Sequence, residues 1–255
     1  VSESAWGGLF APGTRVMALT AGGAHAERAA IPVGQLLPVP ARLSLLEAAA
    51  IPEAGVTAWT NLVVEGGLEA GETVLVTGAT GGMGTMFVQL ARELGARVIA
   101  AGRDRGRLER LRPLGAAETL LDDDDLPAGV RAATGGAGVD LAIDLTGGAP
   151  IDRHLGLLKS RGRLVLVGLL AGRRAEIDLG VVLSRRLRLQ GSVLRARSRA
   201  EKAALVAAFS AFAIPRFASG RLLPVVERSW PFDRAAEAYA ALARGGVAGK
   251  IVLEM

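Results

Sequence analysis

Thr73-Val74-Leu75-Val76-Thr77-Gly78-Ala79-Thr80-Gly81-Gly82-Met83-Gly84 is the stretch on which the reading of this chain turns. Its β-branched and apolar start predicts a strand. The strand runs into glycines spaced Gly78-x-x-Gly81-x-x-Gly84, and a helix-forming segment follows from Thr85 to Leu94. Strand, tight glycine turn and helix together can hold a dinucleotide pyrophosphate. Small residues let the backbone approach the phosphates, and the helix N-terminus offers N–H donors and a partial positive charge. An ordinary glycine-rich turn can share this spacing, so the flanking sequence has to decide.

Downstream, the pattern is alternating strand and helix. After the helix Gly82–Leu94 come a strand at Arg97–Ala101, a helix at Arg105–Leu114 and a short strand at Thr119–Leu121. The acidic run Asp122–Asp125 reads as a solvated loop or helix start. A fourth strand is expected at Val139–Leu145, a helix at Pro150–Leu158, a fifth strand at Leu164–Gly168 and a sixth at Leu187–Leu194. Near-continuous apolar strands alternating with helices predict a parallel sheet covered on both faces. Right-handed crossovers make it a doubly wound α/β sheet.

The flanks have a different texture. Upstream, Arg15–Leu19 and Glu27–Ile31 are strand candidates about the turn sequence Ala21-Gly22-Gly23-Ala24, and Gln35–Pro40 is extended. Ser44 and Glu47 form a capping box that opens a helix, and a second helix runs from Val56 to Val64. Downstream, Ser198 and Glu201 open a long helix, Arg199–Phe212. Then follow a strand at Leu222–Glu227, a helix capped by Asp233 and a last strand at Gly249–Glu254.

Composition narrows the chemistry. The absence of cysteine among 255 residues removes disulfides, thiol catalysis and Cys-ligated zinc, and is compatible with a cytoplasmic protein. No uninterrupted apolar run approaches the roughly 20 residues that span a bilayer, so no membrane partner is expected. Val1–Trp6 has neither the basic nor the apolar region of a secretory signal. The net charge of +5 and pI near 10.5 come from scattered arginines with only 4% aromatic residues. That is read as a generally basic surface, not a nucleic-acid site.

The end of the second strand bears on the cofactor. An NAD site usually has an acidic residue about 20 residues past the glycine turn, bonding the ribose diol. Here the strand ends Ala101-Gly102-Arg103, with Arg107 one helical turn later. Arginine presents a planar fork to phosphate. Gly102, Arg103 and Arg107 therefore favour NADPH, while Asp104 is expected to cap the next helix. The alternative is that both arginines are merely exposed. No nucleophile–base pair or metal cluster stands out. His154 is expected on the outer face of its helix, and His25 lies in a turn. Hydride transfer needs no side-chain nucleophile, and no catalytic residue is assigned.

Several segments resemble one family in order: Pro12–Val16, Gly22–Glu27, Glu47–Pro52, Gly55–Trp59, the glycine turn and the closing Gly249-Lys250-Ile251-Val252-Leu253. They are similar to the zinc-independent medium-chain dehydrogenase/reductases. Gly191–Ser198 and Leu223-Pro224-Val225-Val226 are similar to the quinone oxidoreductase branch. The resemblance implies a Rossmann domain at 56–220, between a GroES-like part at 1–55 and its C-terminal return at 221–255. It also implies that Val1 aligns inside the family's first domain, so that the chain lacks that domain's first strands.

The same resemblance implies NADPH-dependent reduction of quinones or α,β-unsaturated carbonyls without zinc. Thr57 would reach the nicotinamide end, and Gly78, Thr80, Gly81, Gly82, Met83 and Gly84 the pyrophosphate. Gly102, Arg103 and Arg107 would surround the 2′-phosphate. Gly168, Leu169, Leu170 and Leu194 would line the nicotinamide, with Lys250 near the cleft. It further implies a homodimer through Leu187–Leu194. Relatives often carry a polar aromatic on the adenine side, where this chain has Leu121-Asp122-Asp123. Two alternatives stay open: an enoyl reductase domain of a polyketide or fatty-acid assembly line, and a non-catalytic NADPH-binding protein.

Overall fold

The structure, a computed structural model, describes residues 10–255. The segment 1–9, on which the expectation of a shortened first domain bears, lies outside the described residues. The chain forms two compact units, Val1–Thr57 with Leu194–Met255, and Ala58–Val193.

The second unit is built on six parallel strands: β3 (Thr73–Val76), β4 (Arg97–Gly102), β5 (Ala116–Leu121), β6 (Val139–Asp144), β7 (Leu158–Leu166) and β8 (Arg188–Gly191). Their order across the sheet is β5-β4-β3-β6-β7-β8. This is the order of a dinucleotide-binding sheet, with the reversal of direction between β3 and β6. Helices α3 (Gly82–Glu93), α4 (Arg105–Glu109), α5 (Leu126–Ala133), α6 (Pro150–Gly156) and α7 (Leu179–Arg185) connect the strands. The strands read as continuous apolar runs because both faces are covered: Val74, Leu75, Val76, Val98 and Ile99 are fully buried. Leu126, Val130, Ile151 and Leu155 from the helices pack into the same core. Each such side chain contributes about 1.5–3 kcal/mol by leaving water.

Several expected boundaries move. β7 begins at Leu158 instead of Leu164, because the chain resumes its ladder after an irregularity at Ser160-Arg161-Gly162, with Val139 opposite Leu158 and Leu141 opposite Arg163. β8 is shorter than Leu187–Leu194, and all four of its residues are exposed. α4 ends at Glu109 instead of Leu114.

In the first unit, β1 (Val16–Ala18) pairs antiparallel with β2 (Leu36–Pro38), placing buried Met17 opposite buried Leu37. Glu27–Ile31 is not a strand. Residues 27–30 are exposed and carry no alternating apolar face to bury. Ser44 and Glu47 do form the capping box of α1 (Leu45–Ala49). α2 (Pro52–Trp59) continues into a π-helical turn at Thr60–Glu65. α8 runs from Arg199 to Ser219, opened by the Ser198–Glu201 box, and buries Leu205, Val206, Phe209, Ala213 and Phe217. By length and composition alone α8 could cross a membrane, but here its apolar side packs on its own unit, with Phe209 against Gly55. β9 (Val226–Pro231) and β10 (Lys250–Glu254) pair in parallel through α9 (Ala235–Arg244). β9 starts at Val226, later than Leu222, which is fully buried outside the ladder, while Trp230 pairs with Leu253.

Candidate functional site

The glycine turn leaves β3 at the point where the sheet order reverses, which is where open α/β sheets bind ligands. Gly78 has φ +61°, a conformation a side chain rarely adopts. Gly84 is required for another reason: a Cβ there would lie 2.4 Å from the backbone of Ala79. The helix can therefore pack directly on the turn only if this residue is glycine. Gly81 is the N-cap of α3 and supplies no side-chain cap. The first-turn N–H groups of Gly82, Met83 and Gly84 have no carbonyl one turn earlier within the helix to bond. They face the turn along with the positive end of the helix dipole. This backbone cradle fits a pyrophosphate, because added side chains would fill it.

A second turn, Leu145–Gly148 after β6, meets the first. A Cβ on Gly78 would lie 3.3 Å from Leu145 Cβ and 3.5 Å from Thr146 Cγ2. A third segment, Val167–Ala171 after β7, joins them: Val167 N donates to Asp144 O at 2.8 Å, and Ala171 N to Thr146 O at 2.7 Å. Gly168 and Leu169 lie in this segment, and Leu169 and Leu170 are exposed. The structure thus brings together Gly78, Gly81–Gly84 and Gly168–Leu170 at the carboxyl ends of β3, β6 and β7.

At the end of β4, Gly102 is buried against Thr80 and Leu108, and Arg103 is exposed. Asp104 caps α4, its Oδ1 accepting from Arg107 N at 3.0 Å. The Arg107 guanidinium lies 3.6 Å from the other oxygen of Asp104. Arg103 is the more open of the two cations.

Thr57, Leu194 and Lys250 belong to the first unit. Thr57 and Leu194 are buried. Burial pushes the Lys250 ammonium below the usual lysine range, partly opposed by the charge of Glu53. His25 lies in an exposed loop, edge-to-face with Phe232 and Tyr239 at ring centroid distances of 5.9 Å.

His154 corrects the expectation most sharply. It is fully buried, not on an outer face. Its Nδ1 lies 2.7 Å from Asp144 Oδ2 and its Nε2 lies 3.1 Å from Asp122 Oδ1. Burial alone would lower the imidazole pKa, but the hydrogen bonds and charges of the two carboxylates overcome it and hold the pKa up at about 9. For both aspartates burial acts to raise the pKa. Bonds from His154 win and keep each carboxyl below its usual range, helped by Arg153 at Asp122 and by backbone N–H groups at Asp144. Asp122 is therefore not part of a solvated acidic run; only Asp123–Asp125 are exposed. The available signal was Asp144-Leu145-Thr146-Gly147-Gly148. An Asp that closes an apolar strand just before Thr-Gly-Gly is placed to accept turn N–H groups.

The turn geometry and sheet order define a dinucleotide-fold protein. Residues 82–210 match the zinc-binding dehydrogenase family. The chain belongs to the medium-chain dehydrogenase/reductases, in the quinone oxidoreductase group. It is 36% identical to the quinone oxidoreductase of Thermus thermophilus, a structure determined also in complex with NADPH; the match covers 96% of this chain and 78% of that one, with a TM-score of 0.86. A probable oxidoreductase from Mycobacterium abscessus is 32% identical, with 100% of this chain and 77% of that one covered and a TM-score of 0.85. The spectinabilin polyketide synthase system protein NorB of Streptomyces orinoci is 34% identical over 251 residues, 96% of this chain. The chain spans only 11% of that protein's length. Among the described residues, no group of three or more His, Cys, Asp or Glu is placed to hold a metal ion.

Proposed function

We propose that this chain is an NADPH-dependent reductase that delivers hydride to a quinone or an α,β-unsaturated carbonyl. The observation that carries the reading is the glycine cradle at the reversal point of the sheet, with exposed Arg103 at the end of the neighbouring strand. Likeness to a quinone oxidoreductase determined with NADPH supports it.

Bound NADPH would supply the hydride and accept no help from a nucleophile. The chain's own part is to bind, orient and exclude water. The N–H groups of Gly82, Met83 and Gly84 would take the pyrophosphate, and Thr80 and Gly81 shape its approach. Gly102, Arg103 and Arg107 would hold the 2′-phosphate. Gly168, Leu169 and Leu170 would wall the nicotinamide. The exposed edge strand β8 would serve a homodimer.

A second reading, an enoyl reductase domain of a polyketide assembly line, is favoured by likeness to polyketide synthase proteins many times longer than this chain. Following NADPH oxidation with free quinones and with thioester-linked enoyl substrates separates the two. Turnover of quinones well above that of thioesters supports the first reading. The reverse supports the second. Saturable NADPH binding with neither acceptor consumed leaves a non-catalytic NADPH-binding protein.

A further inference from the structure

Buried His154 has no direct part in holding the nucleotide, yet its bonds end on the turn beside Gly78. Asp144 Oδ2 accepts from His154, while Oδ1 accepts from Thr146 N at 2.8 Å, Thr146 Oγ1 at 2.9 Å and Gly147 N at 2.8 Å. The backbone oxygens of Asp144 and Thr146 in turn hold Val167, Gly168 and Ala171. On the far side of the ring, Asp122 also accepts from Arg153 Nη2 at 2.8 Å, and Arg153 Nη1 reaches Asp124 at 3.3 Å. Three elements thus meet on one imidazole: the end of β6, the residue after β5, and α6.

The ring chemistry sets a condition. A neutral imidazole has one donor and one acceptor, so it can donate to only one of two carboxylates. The other carboxylate would then face a lone pair. Both bonds are donated only by the cationic ring. With Oδ2 of Asp144 pinned, the carboxylate plane is fixed, and Oδ1 stays aimed at the Thr146 and Gly147 N–H groups. The turn does not hold this shape by itself, since Gly147 and Gly148, at φ 62° and 63°, are glycines with many other backbone conformations open to them.

We propose that His154 is a positioning residue of the nucleotide site. By bonding Asp144 and Asp122 together it fixes the Leu145–Gly148 turn, and through it Val167–Ala171, in the shape that faces the glycine cradle. The role rests on the nucleotide reading above. His154 touches no reacting atom; it acts through Asp144.

The experiment compares wild type with His154→Gln, which can donate to one carboxylate only. Two quantities are read on the folded proteins: hydrogen exchange of the Thr146 and Gly147 amides without ligand, and NADPH affinity by titration between pH 7 and pH 10. In the variant, those two amides exchange several-fold faster while Val74–Val76 in β3 keep their protection. NADPH binding weakens several-fold at pH 7. Wild-type affinity falls as pH rises through the imidazole titration, with Asp122, Asp144, Asp124 and Arg153 as the charged groups around the ring, and the variant shows no such step. Unchanged Thr146 and Gly147 exchange, or unchanged affinity with the same pH profile, overturns the proposal. If His154→Gln does not fold, Asp122→Asn takes its place: removing one of the two carboxylates that hold the ring cationic moves the fall in NADPH affinity, and the faster exchange of the Thr146 and Gly147 amides, to lower pH than in wild type, and an unmoved pH profile overturns the proposal. If wild type binds no NADPH, the nucleotide reading fails by itself, and amide exchange still decides whether His154 sets the turn.

Discussion

The two ends of the six-stranded sheet handle charge in opposite ways. At the amino ends, Arg163 and Glu72 form a two-pronged ion pair at 2.8 and 2.6 Å, and Asp140 accepts from Thr73 N at 2.8 Å and from Lys159 Nζ at 2.7 Å. These groups are partly exposed, and they tie the starts of β3, β6 and β7 to one another. At the carboxyl end of β6 the charged groups are buried, while Arg103 after β4 stays exposed. Asp144 and His154 lie wholly inside. One end satisfies itself by side-chain pairing. The other spends its side chains underneath, shaping turns whose N–H groups remain for a ligand. The direction of a parallel sheet accounts for this asymmetry: helix N-termini follow the carboxyl ends of strands, so the free donors collect there.

The contrast between the two ends can be broken most severely at His154. His154→Leu fills the space but leaves two buried carboxylates without their partner, and about 3–5 kcal/mol of unfolding free energy should be lost. Urea denaturation at neutral pH measures this, and a loss under about 1 kcal/mol would mean that Asp144 and Asp122 find other donors.

Gly84→Ala comes next. Helix propensity alone would favour alanine by about 1 kcal/mol. The added Cβ falls 2.4 Å from the Ala79 backbone, and overpacking of that kind should bring a net loss of about 2–3 kcal/mol. A stabilised Gly84→Ala protein would show that the turn and α3 are not in close contact.

The pH dependence of stability separates the ends further. The folded His154 pKa is raised from 6.5 to about 9. Its contribution is therefore complete below pH 6.5 and lost as pH rises through 9. At the amino end, burial acts to raise the Glu72 pKa, but hydrogen bonds from Arg163 and the Glu69 N–H win and lower it. That contribution is complete above the ordinary glutamate range and lost as pH falls through the lowered value. Thermal unfolding should thus weaken on the alkaline side in wild type, and this alkaline slope should flatten in His154→Leu but persist in Arg163→Ala. Arg163→Ala has the smallest effect, about 1 kcal/mol, because its ion pair is partly solvent-screened.

The legible parts of the molecule are those written locally. β3, the glycine turn and α3 occupy one short stretch, where apolar runs and glycine spacing carry the information. The capping boxes at Ser44–Glu47 and Ser198–Glu201 are readable for the same reason. The His154 cluster is not. Asp122, Asp144 and His154 come from three elements, and nothing in the neighbourhood of His154 tells which side of α6 turns inward. α7 is hidden in the sequence because its apolar residues do not become core: Leu179 and Leu183 are exposed, and Val182 is only partly buried against the sheet's core. The fifth strand is expected only from Leu164 because Ser160-Arg161-Gly162 interrupts the apolar run. Tertiary pairing with β6 makes the segment from Leu158 strand nonetheless.

The most direct test is a calorimetric titration of the folded chain with NADPH and with NADH. Saturable NADPH binding is predicted, clearly tighter than NADH, with the preference reduced in Arg103→Ala. The absence of saturable NADPH binding would contradict the assignment of Gly78–Gly84 as a nucleotide cradle.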